Sequence, residues 1–160
     1  MRFTAISLAA VVLVAAQTVG VQGQAAGSSH SSVLSGMIQS PLCSSDNFAS
    51  GDASGDLAGS FFLAFDCQDG AISGGTWLVL VTAEAPDGTT EILGTVRGQV
   101  MHGSFEPDGD GARVIVRDVS LSITEGTGLY AAVVEGTGSL DATSDSDAAP
   151  QFVGTLGLTF

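Results

Sequence analysis

Lysine does not occur in the 160-residue chain, and four arginines face 17 acidic side chains, a formal net charge of −13. A surface of that sign repels polyphosphate backbones and anionic membranes, which excludes nucleic-acid binding as a function class. Solubility outside the cell is the plain reading of the charge, and a cationic or calcium-dependent partner is the sharper one. Histidine is nearly as scarce: His30 and His102 are the only two. A zinc site asks for three or four His, Cys or carboxylate ligands. His102 therefore reads as an exposed or capping residue near a strand end, and His30 as a solvated one. No G-x-S-x-G or other nucleophile arrangement occurs. No metal and no cofactor is expected.

Long apolar runs are confined to the N-terminus. Arg2 followed by AISLAAVVLVAA has the charged and apolar regions of a secretion signal, and small residues allow cleavage after Ala16, Gly23 or Ala26. Taken to residue 23, the signal leaves a loose leader over 24–32 and one domain over 33–160. No lipobox cysteine is present, and no later apolar run approaches the roughly 18 residues of a membrane helix. The mature protein is expected to be secreted, with no membrane span. Cys43 and Cys67 are the only cysteines. In an exported protein they are expected to form a disulfide.

Helical periodicity is also missing. After the signal no i, i+3, i+4, i+7 pattern persists, whereas period-2 alternation recurs between Gly/Asp turns. VLSGMIQ reads as a first strand. SSDNFASGDASGDLAGS, with its tandem ASGD, reads by composition as a surface loop. Its Asp46, Asp52 and Asp56 do not meet the repeat of calcium-binding β-helices. In SFFLAFDC, Phe61, Leu63, Phe65 and Cys67 share a face. Asp-Gly and Pro-Asp-Gly (Pro86–Gly88) are turns. In TEILGTVRGQV one parity holds Ile92, Gly94, Val96, Gly98 and Val100, and the other Glu91, Thr95, Arg97 and Gln99. In ARVIVRDVSLSIT the apolar parity changes after Val116, which predicts a bulge near Arg117–Asp118. QFVGTLGLTF aligns Phe152, Gly154, Leu156, Leu158 and Phe160. The DGDG at Asp108–Gly111 and the SDSD at Ser144–Asp147 read as turns, since neither completes a calcium loop. The pattern predicts an all-β fold, a small closed antiparallel barrel of about eight strands, with a β-sandwich as the alternative.

The segment ITEGTGLYAAVVEGTG carries EGTG twice, at Glu125–Gly128 and Glu135–Gly138. Its GTGLYA matches the G-x-G-x-x-A of dinucleotide loops, but no helix can follow before the next glycine, so that reading fails. Ile123, Gly126, Thr127, Gly128, Tyr130 and Gly136, with the terminal FVGTLGLTF, resemble instead the late-barrel signature of the allene oxide cyclase and dirigent-like barrels. Glu125 stands where those families commonly carry a further glycine. The resemblance implies an eight-stranded antiparallel barrel, often secreted, sometimes enclosing a hydrophobic ligand cavity. It transfers no catalytic residue.

Trp77 and Tyr130 are the only residues of their types. Both are expected to pack in the core, with the lining of a ligand cavity as the alternative. The expected function is non-catalytic: holding a small hydrophobic ligand, or serving as an extracellular interaction module. The alternative is a cofactor-free cyclase or dirigent-like stereochemical guide working in the barrel cavity by proximity. A cavity lined only by apolar groups fits the first, and two convergent polar groups inside it fit the second.

Overall fold

A computed structural model describes residues 27–39, 47–109, 113–145 and 151–160. Eight strands follow one another: β1 (Ser29–Gln39), β2 (Asn47–Gly55), β3 (Gly59–Gln68), β4 (Ala71–Glu84), β5 (Thr90–Asp108), β6 (Arg113–Gly128), β7 (Gly136–Asp145) and β8 (Gln151–Thr159). Each pairs antiparallel with its sequence neighbour, and β8 pairs back onto β1, so the sheet closes into a barrel rather than a sandwich. Closure removes the free edges that an open sheet would expose. The signal segment, its cleavage sites, Asp46 and Cys43 lie outside the described residues.

Alternation decides which face of each strand is buried. Phe61, Leu63, Phe65 and Cys67 of β3 all point inward, as do Phe152, Leu156 and Leu158 of β8, and Phe160 is buried just beyond them. Large inward residues sit opposite small ones. Leu34 pairs with Ala53 on one side and Gly154 on the other, and Ile38 and Leu63 flank Ala49. This is how a narrow barrel fills its interior without overpacking.

Three expectations need correction. Ser29–Ser32 are strand, not leader, and His30 stacks on Phe160 with ring centroids 4.5 Å apart instead of being solvated. Residues 47–55 form β2 rather than a surface loop, with Ala49 and Ala53 buried. Ile92 faces solvent, because the β4–β5 register shifts between Val81 and Thr82 and Leu93 takes the extra place. The bulge predicted near Arg117–Asp118 is present: Val116 pairs with Ala142 but Val119 with Leu140, and Asp118 has φ 54°.

The turns follow their chemistry. Asp69 and Gly70, both at positive φ, form the two-residue β3–β4 loop, the geometry that suits Asp-Gly in a hairpin. In the β4–β5 turn, Thr89 donates its amide (3.0 Å) and hydroxyl (2.6 Å) to Asp87 Oδ1. These bonds lower the Asp87 carboxyl below its usual range.

The repeated EGTG stretch closes one end of the barrel. β6 ends at Gly128, and the β6–β7 connection folds tightly back, with the Gly126 amide donating to the Val133 carbonyl (2.8 Å) and the Tyr130 amide to Thr127 (3.0 Å). A side chain on Gly126 would run into the Tyr130 backbone. Tyr130 and Val133 turn inward and join Leu57 and Phe160 as a plug. Tyr130 meets Phe160 edge-on at 6.2 Å.

Candidate functional site

The barrel interior is the first place to seek a site. Among the described residues its buried side chains are almost wholly apolar, and the buried polar ones are Ser32, Asn47 and Ser144. Ser32 Oγ accepts the Leu57 amide at 3.0 Å, and Asn47 and Ser144 are also engaged. At one end His30, on the inward parity of β1 with Ser32 and Leu34, stacks on Phe160 and buries its Nε2; no carboxylate or arginine is buried with it, and no group of three metal-ligating side chains exists among the described residues.

Trp77 and Tyr130 both belong to this packed interior. The Trp77 indole N–H donates to the Ser122 carbonyl at 3.1 Å, passing over Gly98, where an added Cβ would lie 2.9 Å from Nε1. Burial holds the Tyr130 hydroxyl above the ordinary tyrosine value, and the Asp56 carboxylate pushes it the same way. Asp56 itself is fixed by the Ser31 amide, which donates to Oδ2 at 2.8 Å. Cys67 is buried on β3 and is not a free thiol. His102 is exposed on β5.

Space appears on the outside instead. A groove of about 850 Å³ crosses the outer face from β2 to β6. Strand register arranges its lining in rows. One row runs Phe62, Leu78, Arg97, Glu125, each directly opposite the next on β3, β4, β5 and β6. A second runs Phe48, Ala64, Thr76, Gln99 from β2 to β5. Thr95 and Thr127 pair beside them, their hydroxyls 2.8 Å apart. Phe48 and Phe62 form the apolar end, centroids 6.2 Å apart with planes tilted by 34°. At the polar end Arg97 forms an ion pair with Glu125 through Nε and Nη2. Trp77 borders this groove from beneath, its side chain buried on the inward parity of β4, and Tyr130 does not border it.

Sequence reasoning placed Arg97 and Gln99 on the outward parity of β5 but did not join them to Phe48 and Phe62. The rows are set by cross-strand register over five strands, and the bulge at Thr124 brings Glu125 opposite Arg97. A signal was available in the GTWLVLV run, which is apolar on both faces in its middle and so turns Leu78 outward.

Two smaller concavities lie elsewhere on the outside. One, about 430 Å³, involves Val33, Ile115, Arg117 and Val153; the other, about 360 Å³, lies by Ser29, His30 and Thr137. No helix is long and apolar enough to cross a membrane among the described residues. No protein-family model, curated protein or solved structure matches the chain.

Proposed function

We propose that the protein is a secreted, non-catalytic interaction module that takes its partner on the outer groove of β2–β6 and not in the barrel lumen. The observation that carries this reading is where the space lies: apolar side chains pack the interior, and the 850 Å³ groove is outside. A small hydrophobic ligand in the lumen would have to displace Phe61, Phe152 and their neighbours. A cyclase or stereochemical guide would need room there, and convergent polar groups as well. The eight antiparallel strands are what kinship with the allene oxide cyclase and dirigent-like barrels requires, although many activities share one barrel. Export is supported by the N-terminal signal pattern, and the Cys43–Cys67 disulfide belongs to the same proposal.

Two measurements test the reading. The mature protein is mixed with the insoluble extracellular fraction of a culture that exports it, and sedimented. The wild type is expected in the pellet and Phe62→Asp in the supernatant. A lipophilic fluorescent fatty acid is then added to the wild type. Stoichiometric uptake with energy transfer from Trp77, or equal sedimentation of the two proteins, returns the function to the lumen and overturns the groove.

A further inference from the structure

We infer that the groove binds an uncharged oligosaccharide chain laid across the strands; the inference rests on the groove being the binding face. Charge is the first argument. In a chain with a net charge of −13, Arg97 and Glu125 are the only ionisable side chains among the described residues that line this groove, and they neutralise each other. The groove is a neutral strip on an acidic molecule. It offers no net attraction to a phosphate or a carboxylate, nor the acidic cluster a polycation would choose.

Chemistry along the rows is the second argument. A pyranose ring has an apolar face of C–H groups and a rim of hydroxyls, each both donor and acceptor. Phe62 is 40% exposed, and with Phe48 it presents aromatic surface for the ring face. Leu78 extends that surface toward the middle of the groove. Next come groups that suit a hydroxyl rim: the Thr76 and Thr95 hydroxyls, the Gln99 amide, and the planar Arg97–Glu125 pair with guanidinium donors and carboxylate lone pairs left over. A mostly apolar floor with a few placed polar groups is how small-ligand sites are commonly built.

Length is the third. Five strands at the usual spacing of about 4.8 Å make a path of roughly 19 Å from β2 to β6. That length suits a short run of linked sugar rings better than a single small molecule. The closed sheet already satisfies its backbone groups, so an extended peptide would gain no ladder hydrogen bonds here.

The test is electrophoresis of the mature protein in native gels containing soluble neutral polysaccharides (xylan, mixed-linkage β-glucan, galactomannan and dextran, each alone), with alginate as the charged comparison. At least one neutral polymer is expected to retard the wild type, and alginate none. Phe62→Ala should weaken retardation at least tenfold in apparent dissociation constant, and Arg97→Ala several-fold. Val153→Thr, on the opposite outer face, should leave it unchanged. Circular dichroism and thermal melting confirm that each variant is folded. Absence of retardation by every neutral polymer, or retardation that survives Phe62→Ala, overturns the sugar assignment. If the sugar gels fail while Phe62-dependent sedimentation persists, and protease treatment of the pellet material abolishes it, the groove serves a protein partner. If sedimentation fails too, the interaction-module reading falls with the inference.

Discussion

The rings of Phe61 and Phe152 lie 5.8 Å apart between centroids, although β1 and β2 stand between their strands in the sheet. What lets them meet is a pair of glycines. Phe152 is in register with Gly36, Gly36 with Gly51, and Gly51 with Phe61, so two bare backbones separate two aromatic rings around the barrel wall. An added Cβ at Gly36 would lie 2.8 Å from the Gly51 Cα, and one at Gly51 would collide with the Ser35 carbonyl. Gly36→Ala and Gly51→Ala should each destabilise the fold by about 1–3 kcal/mol or more, the usual cost of forcing volume into a packed core. Phe152→Ala should cost about 3–5 kcal/mol by leaving a cavity. Gly109→Ala, with open space around it, should stay within about 0.5 kcal/mol. Denaturant unfolding followed by Trp77 fluorescence measures all four.

Tyr130 makes the fold sensitive to alkali. Burial first, and the Asp56 carboxylate second, raise its hydroxyl pKa in the folded state. In the unfolded chain a tyrosine ionises near pH 10. With the folded value the higher of the two, the stabilisation is complete below about pH 10 and is lost as pH rises from there through the folded pKa. Melting temperature should therefore fall more steeply above about pH 10 in the wild type than in Tyr130→Phe. Since Tyr130 is the only tyrosine, phenolate absorbance reports it directly. The native protein should titrate at higher pH than the urea-unfolded one. Coincident titrations would remove the argument.

Much of the barrel was legible where strands carry large inward residues. Phe61, Leu63 and Phe65 announce β3 by alternation, and Phe152, Leu156 and Leu158 announce β8. β2 and β7 were not, for one physical reason. Their inward positions are held largely by Ala49, Gly51 and Ala53, and by Gly138 and Ala142, so alternation of size and polarity is weak and Ser, Gly and Asp suggest a loop. Those small residues are needed because β1, β3 and β8 supply the bulk opposite them. Such complementarity belongs to the closed sheet and not to any one segment. The groove was hidden in the same way: Phe62, Leu78, Arg97 and Glu125 are far apart in sequence and meet only through register.

Cys67 should tie β3 to the β1–β2 connection through Cys43. The bridge closes a loop of about 25 residues, worth on the order of 3 kcal/mol in the chain-entropy account. Non-reduced protein should have a mass two hydrogens below that of the reduced chain, and peptide mapping should recover the two cysteines linked. Cys43→Ser alone should lower stability by about that amount, and reducing agent should then have no further effect. Equal stability of reduced and non-reduced wild type would argue against the bridge.

Asp118 sets the phase of the second half of β6. It adopts φ 54°, and its amide donates to Asp141 Oδ1 at 3.3 Å across to β7. Before it Val114 and Val116 point inward; after it Val119, Leu121 and Ile123 do, on the other parity. A side chain in the left-handed region costs about 1–2 kcal/mol for ordinary residues and less for Asp or Asn. Asp118→Val should therefore destabilise by about 1–2 kcal/mol, whereas Asp118→Gly should be neutral or mildly stabilising. Inserting an alanine after Asp118 is a different perturbation. A slip of one residue exchanges every side chain between the two faces of a strand, so Val119, Leu121 and Ile123 would face solvent and Ser120, Ser122 and Thr124 the core. The insertion should abolish the cooperative melt that Asp118→Gly retains, because a bulge of one extra residue keeps a strand with two apolar parities inside one barrel.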